Sequence, residues 1–319
     1  MSSSKKSCVC YAVDDNYLFP TLLSASQVRQ YNKSRDTDVV IICIAAPSEK
    51  TKLAAEVARE LGISFIVKPL SAIDNMHPMF GRLFLNDLLP ELYERTVYID
   101  GDTQVVGSLE PLIEAEIPTG HFLAARDPAA LFAKLSPAWY RTISSDRLDA
   151  GITGSLDDYF NTGLLVFDLS SWRQLSQATL ETFRKKEGGY KFGDQDPMNV
   201  AVGDKCIYIP NTWNFPGFLI GTPAEDRAQP IVYHFMSNPR PWTHTGKPWG
   251  AAWSKPYQKF ITRFPALSSI APRSTLFQKL KYKLQQRLKL NTEYARVGTL
   301  LEAKPTLCVA KTYRAGTQN

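Results

Sequence analysis

Apolar stretches of strand length alternate with helix-like stretches through the first hundred residues. The apolar runs are rich in β-branched residues and end at polar or turn-forming positions, which is typical of buried strands. Helix signals lie between them, with Pro20 early in one helix, Ser48 as a cap and Gly62 as a stop. We predict strands at residues 8–13, 39–46, 63–67 and 96–99, and helices at 20–31, 48–60 and 79–89. This alternation predicts an α/β fold whose mainly parallel sheet carries helices on both faces.

The second half of the chain has a less regular pattern. Short apolar runs predict strands at residues 121–126, 164–168, 206–209 and 231–235, whereas residues 128–158 give no clear assignment. Residues 192–197 open a helix, and Asp194 can cap it.

The strand at residues 96–99 leads directly into Asp100-Gly101-Asp102. Residues two apart in an extended segment point the same way, so the two carboxylates leave the strand end side by side. Their mutual repulsion favours a cation between them, and carboxylate oxygens suit Mg²⁺ or Mn²⁺. Such an ion can neutralise a diphosphate. Asp-x-Asp is also common in solvated turns, and the buried strand in front of it favours the metal site.

A second polar cluster, Asp14-Asp15-Asn16-Tyr17, follows the first predicted strand. Ligands of parallel sheets bind in the crevice at the carboxyl ends of the strands, so we expect both acidic clusters to share one site. The alternative for Asp14 and Asp15 is an acidic pair at a helix N-terminus. The chain has no Gly-x-Gly-x-x-Gly turn after the first strand and no Gly-x-x-x-x-Gly-Lys-Ser/Thr loop. A dehydrogenase is therefore disfavoured, and metal and side chains must hold any phosphate.

Composition narrows the class of protein and its surroundings. The chain has 319 residues, 44% of them hydrophobic, which suits a globular protein with a sizeable core. No apolar run approaches the ~20 residues that cross a bilayer, and the N-terminal segment lacks a signal-peptide pattern. The five cysteines are odd in number and lie mostly in apolar runs. This favours free thiols and a cytoplasmic location over a metal site at Cys8 and Cys10.

The net charge of +6 is concentrated near the C-terminal end. Residues 271–319 hold ten Lys or Arg and two Glu, a net charge of +8, which leaves −2 for residues 1–270. We therefore predict a main domain at residues 1–270 that does not bind nucleic acid, and a basic tail at residues 271–319.

The tail contains a predicted amphipathic helix at residues 275–290, opened by a capping box of Thr275 and Gln278. Its apolar residues recur at helical spacing and are surrounded by Lys and Arg; they are Phe277, Leu280, Leu284 and Leu288. A helix of this kind can lie on an anionic membrane, which would place the protein peripherally on the cytoplasmic membrane face. The alternatives are packing on the main domain or in a dimer.

Five ordered motifs give the chain a family resemblance. They are AVDDNY at 12–17, YIDGD at 98–102, YFNTGLLVFDLSSWR at 159–173, FGDQD at 192–196, and IVYHF at 231–235 followed by RPW at 240–242. Over residues 8 to about 250 the chain resembles glycosyltransferase family 8, the retaining enzymes that include bacterial lipopolysaccharide galactosyl- and glucosyltransferases and glycogenin. The resemblance implies a single GT-A nucleotide-sugar-binding domain at residues 1–270.

The resemblance also implies an activity and a cofactor. The expected reaction moves galactose or glucose from a UDP-hexose to a glycan or lipid-linked saccharide acceptor. Asp100 and Asp102 match the family's metal-binding pair, and His234 matches its third protein ligand. An imidazole beside two carboxylates fits Mn²⁺ better than Ca²⁺, and Mg²⁺ is the alternative.

Further residues match positions that bind the donor. Those expected to contact the nucleotide sugar are Asp14, Asn16, Tyr17, Arg82, Asp100, Gly101, Asp102, Asn161 and Arg240. The expected catalytic residues are Asp127, Asp194 and Gln195, and Gln195 matches the residue near the anomeric carbon. Ordinary structural roles compete with some of these assignments. Tyr17 can be core, Asn161 can be a turn residue, and Arg82 can pair with Asp87 or Glu91.

The last motif departs from the family's usual His-x-x-Gly-x-x-Lys-Pro-Trp. Ser237 replaces the glycine and Arg240 the lysine, although arginine can still grip a diphosphate. A second run, His244-Thr-Gly-Lys247-Pro-Trp, follows with a shorter spacing. We assign His234 and Arg240 as the functional pair, with Lys247 as a helper, and the second run remains the alternative register.

Two other functions use similar residues. A metal-dependent nucleotide-sugar pyrophosphohydrolase would release UMP or a sugar phosphate without an acceptor. A non-catalytic UDP-sugar-binding or membrane-scaffold protein would bind UDP and turn nothing over.

Overall fold

The computed structural model describes residues 6–32, 37–129, 133–134, 137–246 and 249–289. The strands are β1 Lys6–Val13, β2 Thr37–Ile44, β3 Ser64–Lys68, β4 Tyr93–Ile99, β5 Thr103–Val105, β6 Phe122–Arg126, β7 Phe160–Asp168, β8 Cys206–Ile209, β9 Phe215–Pro216 and β10 Val232–His234. The α-helices are α1 Leu18–Tyr31, α2 Glu49–Glu60, α3 Leu85–Leu88, α4 Glu110–Ile113, α5 Pro137–Ala150, α6 Leu169–Lys185, α7 Gln195–Val202, α8 Pro223–Ala228, α9 Ala251–Arg263 and α10 Leu276–Lys289.

Seven strands form a central sheet in the order β3-β2-β1-β4-β7-β6-β8. The pairs β1–β2, β2–β3, β1–β4 and β6–β8 are parallel, whereas β7 runs antiparallel to both of its neighbours, β4 and β6. A smaller sheet has the order β5-β10-β9. The predicted α/β fold with a mainly parallel sheet is therefore confirmed, with β7 as its antiparallel member.

Alternate residues of β1 divide the interior into two hydrophobic cores. Val9, Tyr11 and Val13 pack with α1 and α2 on one face of the sheet. Cys8 and Cys10 pack on the other face, against residues 80–89, α6 and α7. Helices thus cover both faces, because successive strand residues point to opposite sides and both sets here are apolar.

The prediction of one regular helix at residues 79–89 is wrong. Pro78–Phe84 form a 3₁₀ segment, followed by the single turn of α3. Gly81 packs so closely on β1 and β2 that an added Cβ would lie 2.4 Å from Ile44 Cδ1. Arg82 turns inward and its Nε donates to the Met79 carbonyl oxygen at 3.3 Å. Tertiary contacts therefore override the helical pattern at this position.

Asn161 lies inside β7, so the alternative that it is a turn residue is wrong. The cysteines at positions 8, 10 and 43 are buried and free, and Cys206 is free and half-buried. Cys308 lies outside the described residues. Within the described ranges, no helix is both long enough and apolar enough to span a bilayer.

The described part of the tail is α10, which begins with the predicted capping box. The Gln278 backbone N–H donates to Thr275 Oγ1 at 3.2 Å, and the Thr275 N–H donates to Gln278 Oε1 at 2.9 Å. Phe277, Leu280 and Leu284 are 76%, 68% and 63% exposed. The apolar stripe of α10 is therefore not packed on the described part of the main domain.

Candidate active site

The strand order brings the two acidic clusters together. β1 and β4 are parallel neighbours, with Cys10 opposite Tyr98, so Asp14 and Asp100 leave adjacent strand ends. The chain then passes through Asp102 into β5, which pairs with β10 and sets Thr103 opposite His234. A residue more than a hundred positions away is thus placed beside the acidic pair.

Asp100, Asp102 and His234 form a compact group of potential metal ligands. One donor atom from each lies within 4.8 Å of the other two. His234 Nε2 lies 3.2 Å from Asp102 Oδ1 and 3.8 Å from Asp100 Oδ2. Two carboxylate oxygens and an imidazole nitrogen are a donor set that suits Mn²⁺. Within the described ranges, no other group of three His, Cys, Asp or Glu residues has donor atoms this close together.

The electrostatics of this group favour a charged carboxylate. Burial alone would raise the pKa of Asp102, but His234 and Arg240 hold it well below its ordinary value. Burial alone would lower the pKa of His234, and the two carboxylates raise it. Arg240 Nη1 lies 2.5 Å from Asp102 Oδ2. Asp102 therefore stays ionised at neutral pH and can face a cation.

Arg82 connects the metal group to the interior. Its guanidinium lies 2.9 Å from Asp100 Oδ1 and 3.0 Å from Asp194 Oδ2, and its Nη1 donates to the Thr162 carbonyl oxygen at 2.6 Å. Burial alone would lower the pKa of Arg82, and the two carboxylates raise it. The alternative that Arg82 pairs with Asp87 or Glu91 is wrong; Asp87 pairs with Arg173 on the surface.

A cavity of about 260 Å³ lies on the β1 side of the acidic pair. Asp14 and Tyr17 line it together with Gly101, His77 and Met79. Asp14 Oδ1 accepts the backbone N–H groups of Asn16 and Tyr17, which fixes this turn.

The predicted nucleotide residues differ in their placement around this cavity. The Tyr17 ring is half-buried, and Arg240 Nη2 lies 3.4 Å from its hydroxyl. The Asn16 side chain is exposed and is not part of the cavity wall. An added Cβ at Gly101 would lie 2.2 Å from Thr21 Oγ1, so this position has room for glycine only.

A second cavity of about 490 Å³ adjoins the first and shares Met79, Arg82, Asp100 and Asp102 with it. The predicted catalytic residues Asp127, Asp194 and Gln195 line this cavity with Asn161. Gln195 Nε2 donates to Asp127 Oδ2 at 3.0 Å, and Gln195 Oε1 accepts from Asn161 Nδ2 at 3.0 Å and from the Thr162 N–H at 3.2 Å. Gln195 is thus held at both ends of its amide.

Asp194 is buried at 3% exposure beside Arg82. Burial raises the pKa of Asp194 to about 6, although the Arg82 guanidinium opposes that shift. The alternative role of Asp194 as a side-chain cap of α7 is wrong, because its carboxylate makes no capping hydrogen bond.

The structure separates the two histidine registers. His234 lies against both carboxylates, whereas the His244 ring packs against Tyr282 of α10 at 6.1 Å. Lys247 lies outside the described residues. Of the two runs, the geometry joins His234 and Arg240 to the acidic pair.

Sequence reasoning missed some residues of the site. The Tyr98 hydroxyl donates to Asp100 Oδ1 at 2.7 Å, and the alternation of strand side chains could have found it two positions before Asp100. Asn214 contacts both His234 and Asn161. It lies after a short 3₁₀ turn with no motif, and no local signal marks it.

A GT-A arrangement of this kind, with paired aspartates between two cavities at the strand ends, defines a class of glycosyltransferases. The chain belongs to that class: the model of glycosyl transferase family 8 matches residues 8–246. Both the predicted family and the prediction of an enzyme are thereby confirmed.

Named relatives agree with this family. The chain is 25% identical over 257 residues to lipopolysaccharide 1,2-glucosyltransferase of Escherichia coli K12, covering 73% of this chain and 72% of that protein. It is 22% identical over 269 residues to lipopolysaccharide 1,3-galactosyltransferase of Salmonella typhimurium LT2, covering 78% of this chain and 76% of that protein. The crystal structure of the galactosyltransferase LgtC with donor and acceptor sugar analogues shares the fold, with a TM-score of 0.61 at 20% identity. That match covers 79% of this chain and 95% of LgtC.

Proposed function

We propose that this protein is a retaining, metal-dependent hexosyltransferase that moves glucose or galactose from a UDP-sugar to a glycan or lipid-linked saccharide acceptor. The observation that carries the proposal is the convergence of Asp100, Asp102 and His234 at the junction of two adjoining cavities. A diphosphate joins a nucleoside to a sugar, so its natural position is between a nucleotide cavity and a sugar cavity.

The metal ligands in this proposal are Asp100, Asp102 and His234, with Mn²⁺ as the preferred ion and Mg²⁺ as the alternative. When bound, the ion supplies Lewis-acid stabilisation of the diphosphate leaving group. Arg240 lies 2.5 Å from Asp102, so its guanidinium can also donate to the same phosphate oxygens. Asp14 and Tyr17 form the nucleotide wall, with the Tyr17 ring available for stacking on uracil.

The sugar subsite is formed by Asp127, Asn161, Asp194 and Gln195. Gln195 Oε1 already accepts two hydrogen bonds, so Gln195 acts as a fixed dipole beside the anomeric carbon rather than as a covalent nucleophile. Asp194 and Asp127 then accept hydroxyl hydrogen bonds from the sugar. Retention follows if the acceptor hydroxyl attacks from the face that UDP leaves. The acceptor and donor classes are supported by the lipopolysaccharide glucosyl- and galactosyltransferases among the relatives.

The proposal assigns residues 1–270 to the catalytic domain and residues 271–319 to a basic tail. The exposed apolar stripe of α10 supports a peripheral association with an anionic membrane, and we place this association on the cytoplasmic face as part of the proposal. Replacing Leu280 and Leu284 with Ser is expected to abolish sedimentation with anionic liposomes and to spare turnover of a soluble donor. Leu148→Ser, at another exposed leucine on α5, is the matched control. Liposome binding that survives the double substitution would contradict the membrane role.

The experiment for the catalytic proposal incubates purified protein with a panel of UDP-sugars, with and without Mn²⁺, and identifies the released nucleotide. Mn²⁺-dependent release of UDP from UDP-glucose or UDP-galactose is the expected result. Release of UMP would instead indicate a pyrophosphohydrolase. Binding of UDP without turnover in the presence of saccharide acceptors would indicate a binding protein.

A further inference from the structure

Asn214 is a buried residue between the metal group and the sugar subsite. It is 2% exposed and follows the 3₁₀ turn Asn211–Trp213. Its side chain meets His234 Nδ1 at 3.0 Å through Oδ1 and Asn161 Oδ1 at 2.8 Å through Nδ2. Both ends of one amide are therefore committed to residues of the two subsites.

The direction of these hydrogen bonds follows from a backbone group that cannot be reversed. The Gly163 N–H is a donor, and it donates to Asn161 Oδ1 at 2.9 Å, so that atom is an acceptor. The Asn214 atom that faces it must be the NH₂ group, and the Asn214 oxygen then faces His234. An amide oxygen can only accept, so His234 Nδ1 must carry a proton.

With a proton fixed on Nδ1, the ring offers its lone pair at Nε2 once Nε2 itself carries no proton. In the structure, Nε2 is the ring nitrogen that faces Asp100 and Asp102. Hydrogen bonds to the distal nitrogen of a ligating histidine fix its tautomer and ring orientation, and their loss costs ~10–100-fold in metal affinity. Gly163 leaves room for the ring in this position, because an added Cβ there would lie 2.2 Å from His234 Cε1.

The same chain of hydrogen bonds reaches the proposed reaction centre. Asn161 Nδ2 donates to Gln195 Oε1 and to Asp127 Oδ2, each at 3.0 Å. From His234 to Gln195 the path has successive lengths of 3.0, 2.8 and 3.0 Å. The two links made by Asn214 are buried, and leaving either of them unpaired would cost free energy, so they couple His234 to Asn161.

We propose that Asn214 is a positioning residue that fixes His234 in the Nδ1-protonated tautomer for metal binding and couples the metal group to the Asn161–Gln195 pair. This inference rests on the proposed function for its metal, whereas the proton on His234 Nδ1 follows from hydrogen bonds of the metal-free protein. Asn214 lines neither of the two cavities, so it acts through His234 and Asn161.

The first test is the Mn²⁺ affinity of Asn214→Leu, measured by calorimetry on the full chain. Leu has a similar size and lacks both polar atoms, so we expect the Mn²⁺ Kd to rise ~10–100-fold. Asn211→Leu is the matched control on the same turn, where Nδ2 donates to the Arg126 carbonyl oxygen and not to the site. An unchanged Kd in Asn214→Leu would overturn the inference.

Asn214→Asp separates the hydrogen bond to His234 from the link to Asn161. It also provides a second test if the Leu variant does not fold. A carboxylate still accepts from His234 Nδ1 but presents an acceptor to Asn161 Oδ1, where a donor is needed. We expect Mn²⁺ affinity to be retained and kcat to fall. An unchanged kcat at saturating Mn²⁺ would contradict the coupling.

The tautomer is read by long-range ¹H–¹⁵N NMR of the metal-free protein at alkaline pH. The chain has four histidines, and His234→Gln assigns the signal. Nδ1 protonation in the wild type, lost in Asn214→Leu, supports the inference even if the wild type binds no Mn²⁺ and the proposed function fails. A neutral ring protonated at Nε2 in the wild type overturns it.

Discussion

Two buried carboxylates at opposite ends of the site, Asp102 and Asp194, respond to burial in opposite ways. Asp102 faces His234 and Arg240, which hold its pKa below the ordinary range. Asp194 shares the single Arg82 with Asp100, and burial raises its pKa to about 6. The number of cationic neighbours of each carboxylate thus decides whether its pKa is lowered by charge or raised by burial. At the proposed metal-binding end the Asp102 carboxylate therefore stays charged, whereas at the proposed sugar-binding end the pKa of Asp194 lies closer to neutral pH.

The largest expected effect is at the metal end. Asp102→Asn removes the charge that faces the proposed cation, and we expect Mn²⁺-dependent turnover to fall by ~10³-fold or more, since a Lewis acid contributes several kcal/mol. The measurement is UDP release, with circular dichroism to check the fold. Turnover equal to the wild type would show that the assigned metal end is wrong.

Arg82→Lys tests the residue that both ends share. Lysine keeps the charge but cannot reach Asp100, Asp194 and the Thr162 carbonyl oxygen together, so buried carboxylates lose part of their pairing. We expect kcat/KM to fall ~100-fold and unfolding free energy to drop by about 3 kcal/mol. Arg173→Lys, in the exposed pair with Asp87, is the control and is expected to change neither. Equal behaviour of the two variants would contradict a structural role for Arg82.

The raised pKa of Asp194 is expected to make the folding stability depend on pH. Its pKa is about 6 in the folded protein against an ordinary value of 3.8, so the folded state binds the proton more tightly. This group therefore favours folding at low pH, and its contribution falls as pH rises from about 4 to about 6. Asp194→Asn is expected to remove that slope from urea unfolding measured across the interval. Exposed Asp226→Asn should keep it, and an unchanged slope in Asp194→Asn would refute the assignment.

The smallest effect is expected for Arg240→Lys, which restores the lysine of the usual family motif. A lysine in this place still presents a positive charge to Asp102 and the diphosphate, so we expect kcat/KM to change by less than ~10-fold. Arg240→Ala removes the charge and should be worse. If the Ala variant matched the wild type, Arg240 would have no role in donor binding, and the second histidine run would be the better candidate.

Local patterns in the sequence predicted the placement of Asp100 and Asp102 better than that of the residues of the proposed sugar subsite. Asp100 and Asp102 follow an apolar strand, and strand geometry alone places them side by side. Asp127, Asn161 and Gln195 come from three separated elements, and only the family resemblance suggested that they meet. The 79–89 segment was mispredicted because its burial against β1 and β2 outweighs its helical periodicity. The reversed direction of β7 is likewise a tertiary property.

Asn214 shows the limit of sequence reasoning most clearly. It lies between Trp213 and Phe215 with no periodicity or motif to mark it, and asparagine in such a place usually indicates a turn. Its role depends on His234 and Asn161, which are 20 and 53 positions away. Long-range hydrogen bonds of this kind are decided by the folded geometry and leave no local pattern.

The central claim is that a cation held by Asp100, Asp102 and His234 binds the diphosphate of the donor. The most direct measurement is the affinity of the wild-type protein for UDP, by calorimetry, with and without Mn²⁺, repeated with Asp102→Asn. The account predicts that Mn²⁺ strengthens UDP binding strongly in the wild type and has no effect in the variant. Equal UDP affinity of the wild type with and without Mn²⁺ would contradict it.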